Sequence, residues 1–324
     1  MRKRWIALGA AALLIGAVVL FNAPFWGKPD GGLWLLAHRG VHHNYAREGL
    51  TNETCTAERV HPITHGLIEN TLPSMQAAFD AGADMIELDV HPTTDGEFAV
   101  FHDWTLECRT NGEGVTRRQS MDYLRTLDLG YGYTADGGET YPLRGQGVGL
   151  MPTLGEVLAA FPGRRFLVNF KSRDAHEGEA MLAYLDARPE ADIARLAFFG
   201  AAPAERIRAL RPEVRVSGRG ILKACAKDYM LTGWFGAEPE SCRNLIVFAP
   251  IDVAWVAWGY PDLFLARMQR LESEVVIAGA ISREGVPGID DAAALARVPQ
   301  GWRGGVSTDH VEIIGPLAAE RPRP

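Results

Sequence analysis

The sequence predicts an α/β protein built as a (β/α)8 barrel behind an N-terminal transmembrane helix. Short apolar runs alternate with helix-like segments along most of the 324 residues, and this alternation is typical of a parallel sheet. The hydrophobic content of 47% suffices for one large core. The length suits one large barrel or two ordinary domains. Because no internal repeat and no Gly/Ser linker divides the chain, we predict one domain over residues 29–324.

The segment of residues 1–28 differs from the rest of the chain. The basic residues Arg2, Lys3 and Arg4 precede an uncharged run from Trp5 to Gly27, which is close to the ~20 residues that span a bilayer. The run is longer than the apolar part of a signal peptide, and no clear cleavage site follows it. We expect an uncleaved single-pass anchor in the cell inner membrane, with residues 29–324 on the periplasmic side. The alternative is a cleaved signal peptide and secretion to the periplasm.

The charge of the exported part argues against a nucleic-acid partner. Residues 1–28 hold four of the 33 basic residues and none of the 40 acidic ones, so the remainder carries 29 basic and 40 acidic residues and a net charge of −11. A nucleic-acid-binding surface needs a basic footprint. A small anionic substrate held by a few local cations is compatible with this charge.

Four cysteines lie beyond the predicted anchor, in a compartment where disulfides persist. No CxxC spacing points to a zinc or redox motif. The order along the chain favours the pairs Cys55–Cys108 and Cys225–Cys242, one of three pairings, and four unpaired thiols are the alternative. The first pair would join a loop at about 41–68 to a long excursion at 104–151.

Two carboxylates share one face of a predicted buried strand near residues 84–91. Glu87 and Asp89 stand two positions apart among Met, Ile, Leu and Val, so they point to the same side. Such a pair is costly to bury because the charges repel and lose their water. A hard divalent cation would offset that cost, since Ca²⁺ and Mg²⁺ take oxygen ligands. The alternative is a solvated pair on an edge strand.

Polar residues also follow other predicted strands. The run 33–37 ends at His38 and Arg39, the run 98–101 ends at His102, and Asn169 and Lys171 share a face at the end of 165–171. Catalytic groups of a (β/α)8 barrel collect at the C-terminal strand ends. These four strand ends therefore predict one site for a metal and a phosphate. Further strands are expected at 195–199, 214–217, 245–249, 275–280 and 304–308, which makes nine candidates, one of them outside the barrel.

Two other groups of residues allow more than one interpretation. The loop histidines His42, His43, His61 and His65 suggest a second metal site, but they fit no zinc spacing that we recognise. The aromatic stretch Trp255, Trp258, Tyr260 and Phe264 is expected to pack in the core. A patch that contacts lipid headgroups is the alternative, because the domain would be tethered to a membrane.

The order His38-Arg39-Gly40, Glu69-Asn70-Thr71, Glu87-x-Asp89 and His102-Asp103 resembles the glycerophosphodiester phosphodiesterase family, including its membrane-anchored bacterial members. The similarity covers roughly residues 33–312 and is most specific in the N-terminal half. It implies a TIM barrel, in which the loop at about 41–68 and the excursion at 104–151 would be long insertions after strands 1 and 3. It also implies hydrolysis of glycerophosphodiesters to glycerol 3-phosphate and an alcohol with one divalent cation, Ca²⁺ or Mg²⁺.

The resemblance implies a role for each motif residue. Glu87 and Asp89 would be metal ligands, joined by Asn169 and, in the surrounding polar shell, Glu69. His38 and His102 would be the general acid/base pair, and Arg39 and Lys171 would hold the phosphate. The chain departs from the family pattern in two places: an amide, Asn169, replaces the usual Glu, and the stretch between Gly40 and Glu69 is longer than usual.

Three functions follow as hypotheses. The first is a metal-dependent glycerophosphodiesterase acting on a small-molecule or lipid-derived phosphodiester. The second is a related phospholipase D-like hydrolase that acts on lysophospholipid or sphingolipid headgroups at the membrane. The third is a catalytically silent barrel that binds a phosphate ester, and it draws support from Asn169. No oligomeric state is predicted.

Overall fold

The sheet of this protein closes into a barrel of eight parallel strands. The computed structural model describes residues 2–51, 54–188 and 192–321. Strands in this part of the chain are β1 (Trp34–His38), β2 (Met85–Pro92), β3 (Phe98–Val100), β4 (Arg165–Phe170), β5 (Leu196–Phe199), β6 (Arg215–Ser217), β7 (Ile246–Pro250), β8 (Glu274–Ala278) and β9 (Gly305–Thr308). The hydrogen-bonded order is β6-β5-β4-β2-β1-β9-β8-β7. Val216 of β6 then pairs with Leu245 beside β7, which closes the ring and confirms the predicted fold class.

Strand β3 is the candidate that lies outside the barrel. It runs antiparallel to β2, with Val100 opposite Val90, because the chain reverses through the turn at 94–96. The prediction that four barrel strands deliver the site residues is therefore wrong for His102. This residue returns to the rim on the far side of a hairpin, where the neighbouring Phe101 N donates to Asp89 O at 3.0 Å.

Helices follow the strands as the alternation predicts. They are α1 (Arg2–Phe21), α2 (Leu72–Asp80), α3 (Met121–Leu124), α4 (Leu154–Ala160), α5 (His176–Asp186), α6 (Ala202–Leu210), α7 (Arg219–Thr232), α8 (Asp262–Arg270), α9 (Ala292–Arg297) and α10 (Val311–Ala319). Thr71 caps α2 by accepting from Ser74 N, and Thr153 with Glu156 forms a capping box on α4. Both caps satisfy amide groups that the first helical turn leaves without partners.

Side chains along the barrel strands point alternately into the barrel interior and into the layer between the strands and the helices. Met85, Leu36 and Leu167 point into the barrel, whereas Ile86 and Leu88 pack under the surrounding helices. Because residues i and i+2 share a face, the side of β2 that carries Met85 also carries the predicted carboxylates. The alternation of β2 thus directs both carboxylates into the barrel, at its C-terminal rim.

The two long insertions pack against each other above this rim. They have a separate apolar cluster that includes Val60, Ile68, Leu106 and Tyr133. The predicted disulfide between Cys55 and Cys108 joins them. A second disulfide, Cys225–Cys242, joins α7 to the turn before β7. Both predicted pairings are confirmed.

Helix α1 is long and apolar enough to cross a membrane, and none of its residues from Arg4 to Phe21 is buried against the barrel. The predicted boundary between residues 28 and 29 stays a prediction. The predicted segments also include Met1 and residues 322–324, which lie outside the described residues, as do the side chains of Arg2 and Lys3.

Candidate active site

The two carboxylates of β2 meet the predicted residues of β4. The register places Asp89 beside Asn169, whose Nδ2 lies 2.9 Å from Glu87 Oε1 and 3.0 Å from Asp89 Oδ1. Lys171 Nζ lies 3.3 Å from Asp89 Oδ1. The structure therefore brings all four predicted residues of these two strands together.

The two carboxylates differ in how well their charge is compensated. Burial and the adjacent charge of Asp89 raise the pKa of Glu87 to about 7. Burial also opposes ionisation of Asp89, but Lys171 and Arg39 hold its pKa well below the usual value. Glu87 Oε2 is buried and has no hydrogen-bond partner among the described residues. An unpartnered carboxylate oxygen beside a second carboxylate is the arrangement that a hard cation would satisfy.

Arg39 enters the site from the end of β1. Its backbone adopts a positive φ of 57°, and its N donates to Glu87 O at 2.9 Å. The guanidinium then reaches inward, with Nε 3.1 Å from Asp89 Oδ2 and NH1 3.0 Å from Glu69 Oε1. Arg39 is buried, so it presents a fixed positive charge beside the carboxylate pair.

Glu69 lies in the polar shell of the site, between two arginines. Its second oxygen, Oε2, is 3.4 Å from Arg109 NH2. Burial opposes its charge, but Arg109 and Arg39 lower the pKa of Glu69 to about 2. Each oxygen of Glu69 thus faces a guanidinium, and its role as a metal ligand stays a prediction.

Each predicted catalytic histidine has a carboxylate on its Nδ1 atom. His38 Nδ1 lies 2.7 Å from Asp309 Oδ1, and its Nε2 lies 3.7 Å from Glu87 Oε2. His102 Nδ1 lies 2.6 Å from Asp103 Oδ1. The carboxylates fix both rings and leave Nε2 as the atom that can exchange a proton.

The pKa values of the two histidines are shifted in opposite directions. Burial and Arg39 lower the pKa of His38, but Asp309 and Glu87 outweigh them, and the net shift is upward. Burial, Arg39 and Lys171 lower the pKa of His102 to about 4. Groups with separated pKa values can serve as an acid and a base at one pH.

Three residues of the site received no role from the sequence. Asn70 Nδ2 donates to Asp89 Oδ2 at 3.0 Å, and Asn70 Oδ1 accepts from Asp89 N. Arg109 donates to both carboxylate oxygens of Asp103. Asp309 also binds Arg47. The motif Asn70-Thr71 was the available signal for Asn70, which adopts a positive φ of 59°, a conformation that asparagine tolerates better than most residues.

A cavity of about 540 Å³ opens beside the histidine–carboxylate cluster. Its polar lining residues include His38, Glu87, Asn169 and Asp309. Its apolar lining residues include Phe199, Leu222, Phe248, Pro250, Val286 and Pro287. The wall of the cavity therefore offers both polar and apolar contacts to a bound molecule.

Within the described part of the chain, two sets of ligand atoms could hold a metal ion. The first is the pair Glu87 and Asp89 with Asn169. The second is His38, His42 and Asp309, whose ligand atoms lie within 4.8 Å of one another. In the second set Asp309 is already bound by His38 and Arg47. The first set fits a hard cation better, because it offers an unpartnered carboxylate oxygen.

Part of the chain matches a known family of phosphodiesterases. Residues 38–193 match the family model described as the Glycerophosphoryl diester phosphodiesterase family. The match spans just under half of the chain and confirms the predicted resemblance.

Curated relatives agree over part of their length. The chain is 38% identical over 103 residues to a glycerophosphodiester phosphodiesterase of Caldanaerobacter subterraneus, covering 32% of this chain and 39% of that protein. It is 37% identical over 123 residues to a glycerophosphodiester phosphodiesterase of Bacillus subtilis, covering 36% and 41%. The matched region thus spans about two fifths of the length of these relatives.

Solved structures show the same fold over most of the chain. A glycerophosphodiester phosphodiesterase of Agrobacterium tumefaciens superimposes with a TM-score of 0.56 at 19% identity, covering 88% of this chain and 99% of that one. A phosphodiesterase of Oleispira antarctica, solved with the product sn-glycerol-3-phosphate, gives 0.55 at 18% identity, covering 89% and 96%.

Proposed function

We propose that this chain hydrolyses glycerophosphodiesters to glycerol 3-phosphate and an alcohol with the help of one divalent cation. The observation that carries the proposal is the placement of His38 and His102 around the carboxylates Glu87 and Asp89, beside the cations Arg39 and Lys171. The match to the family model supports this activity. The product complex of the Oleispira antarctica protein, which shares the fold, is consistent with it.

The cation would be held by Glu87 and Asp89, with Asn169 as a neutral ligand and Glu69 nearby. Asn169 now turns Nδ2 toward both carboxylates, so coordination would place its Oδ1 there instead. Calcium and magnesium both accept carboxylate and amide oxygens. When bound, the ion supplies positive charge that neutralises the phosphoryl oxygens in the transition state.

The remaining chemistry belongs to the side chains. Arg39 and Lys171 would bind the phosphate oxygens and orient the diester. One histidine would take a proton from the nucleophile, and the other would give a proton to the departing alkoxide, both through Nε2. The nucleophile is water, or the hydroxyl of the substrate's own glycerol with a cyclic phosphate as intermediate.

A specific observation favours a second candidate, a phospholipase D-like hydrolase of lysophospholipid or sphingolipid headgroups. The apolar part of the cavity wall, which includes Phe199, Phe248 and Leu222, would accept a hydrocarbon chain next to the phosphate. A glycerophosphodiester with a small alcohol leaves this wall without a function.

The chain would act at a membrane. We place α1 across the inner membrane and the barrel on the periplasmic side, where both disulfides would persist. Secretion after signal cleavage is the alternative, and the mass of the mature protein distinguishes the two.

One assay tests the activity. Release of choline is measured from glycerophosphocholine, with glycerol phosphate as the other product, and from lysophosphatidylcholine, with lysophosphatidate as the other product. Each substrate is tested with Ca²⁺, with Mg²⁺ and with chelator. We expect metal-dependent release from glycerophosphocholine. Faster release from micellar lysophosphatidylcholine would favour the lipid hydrolase, and no turnover with any divalent ion would favour the silent barrel.

A further inference from the structure

The end of helix α1 is built into the barrel. Arg267 on α8 is 2% exposed and donates through NH2 to Phe21 O at 2.8 Å and through NH1 to Asn22 Oδ1 at 3.1 Å. Asn22 Nδ2 donates in turn to Trp234 O at 2.9 Å. A buried guanidinium is costly without acceptors. Residues 21 and 22 are therefore part of the folded domain, and α1 leaves it at a fixed place.

Exposed apolar side chains surround this place. Phe25 and Trp26 follow α1, Leu231 lies in the last turn of α7, Phe235 lies just after α7, and Trp255 and Val256 lie between β7 and α8. Their exposed fractions range from 41% for Phe235 to 69% for Phe25 and Trp255. Trp258 Nε1 donates to Met230 O at 3.0 Å, which joins the last two segments into one surface. Large apolar side chains gathered on a surface indicate an interaction site, and aromatic rings favour the membrane interface.

Helix α7 carries a basic stripe toward the same surface. Arg219, Lys223, Lys227 and Leu231 follow one another at intervals of four residues, so they line one side of the helix. All four are exposed. Among the described residues, none of the three cations of this stripe has a carboxylate partner within salt-bridge distance. Cations on one side of a helix, in an exported region whose net charge is −11, match a surface of anionic lipid headgroups.

We propose that the barrel rests on the bilayer surface through the outer side of α7 and the apolar residues around the end of α1. The partner is a bilayer with anionic headgroups, and α1 fixes the orientation. Arg219 and Leu222, at the other end of α7, line the cavity beside His38. In this orientation the active-site cavity opens near the headgroups. This orientation rests on the proposed membrane-spanning α1 and is independent of the proposed hydrolysis.

Spin labels on the full chain test this orientation. All four native cysteines are in disulfides, so a nitroxide thiol reagent modifies only an introduced cysteine. The variants are Leu231→Cys and Trp255→Cys, with Val148→Cys as control. Val148 is 56% exposed and belongs to the insertion between β3 and α4. This insertion follows the hairpin of β2 and β3, and β2 lies on the opposite side of the barrel from β7. The protein is placed in vesicles of phosphatidylcholine and phosphatidylglycerol.

For each label we compare the accessibility to oxygen with the accessibility to a water-soluble nickel chelate. We expect the ratio of oxygen to nickel accessibility to be severalfold higher at positions 231 and 255 than at position 148. Equal nickel accessibility at all three positions would overturn the proposal. In the Leu231→Cys background, Lys223→Glu should raise nickel accessibility in anionic vesicles. Arg118→Glu, an equal charge change on the opposite insertion, should not. Identical results for the two charge reversals would remove the role assigned to the basic stripe.

Discussion

His38, the last residue of β1, and Asp309, the residue after β9, form a hydrogen-bonded pair of 2.7 Å. The two strands are neighbours in the barrel, with Ala37 opposite Thr308, so the pair forms only when the barrel closes. Asp309 raises the pKa of His38 against the opposing effects of burial and Arg39. Asp309 therefore positions the ring and favours its charged form.

We predict that Asp309→Asn lowers kcat by roughly 10- to 100-fold, the usual cost of removing a group that orients a functional histidine. The pKa of His38 should also fall, because a favourable charge is lost, and the corresponding limb of the pH–rate profile should move to lower pH. Arg47→Gln, which removes the other side-chain partner of Asp309, is the comparison. An unchanged profile in Asp309→Asn would show that the pair has no catalytic role.

Replacing either predicted catalytic histidine should have a larger effect. His38→Ala and His102→Ala should each lower kcat by roughly 10²- to 10⁴-fold, the range typical of a general acid or base. His176→Ala is a matched control, since His176 is an exposed histidine that also pairs with an aspartate, Asp174. A loss below about tenfold would assign the residue a structural role.

Much of the site could be predicted from the sequence because it depends on local periodicity. Glu87 and Asp89 share a face through the alternation of β2, and Asn169 and Lys171 through that of β4. Parallel strands then bring both pairs to one rim. The two disulfides also followed from the order of the cysteines along the chain.

Other features depend on contacts that periodicity does not report. Asp309 meets His38 across 271 positions of sequence. The orientation of β3 was missed because a hairpin and a barrel crossover both place an apolar run before His102. The partners of Glu69 were also missed, because Arg109 reaches it from an insertion whose path is fixed by tertiary packing.

Asn169 gives a test of the metal site that does not depend on turnover. We predict that Asn169→Glu tightens Ca²⁺ or Mg²⁺ binding in a calorimetric titration, because it adds a third carboxylate beside Glu87 and Asp89. Asn169→Gln, which lengthens the side chain without adding charge, is the control. No tightening in a folded Asn169→Glu variant would place residue 169 outside the metal shell.

Glu69 should make stability depend on pH in the acid range. Its pKa falls from an ordinary 4.5 to about 2 in the folded protein. The stabilisation is therefore complete above pH 4.5 and disappears as the pH falls toward 2, with a size on the order of 3 kcal/mol. The free energy of urea unfolding in Glu69→Gln should thus decline less steeply between these pH values than in the wild type. The free energy of unfolding of the surface variant Glu179→Gln should depend on pH as in the wild type. The prediction is contradicted if that of Glu69→Gln declines as steeply as in the wild type.

We propose above that Glu87 and Asp89 hold a cation required for hydrolysis. The most direct measurement is glycerol 3-phosphate release from glycerophosphocholine by Glu87→Ala and Asp89→Ala at saturating Ca²⁺ or Mg²⁺, with circular dichroism to confirm the fold. Asp89 also pairs with the buried Arg39, and removing one partner of a buried ion pair is destabilising, so activity is compared only between variants whose fold is confirmed. We expect activity to fall to background in both variants while the fold persists. Near-normal turnover in either folded variant would contradict the assignment of the metal site.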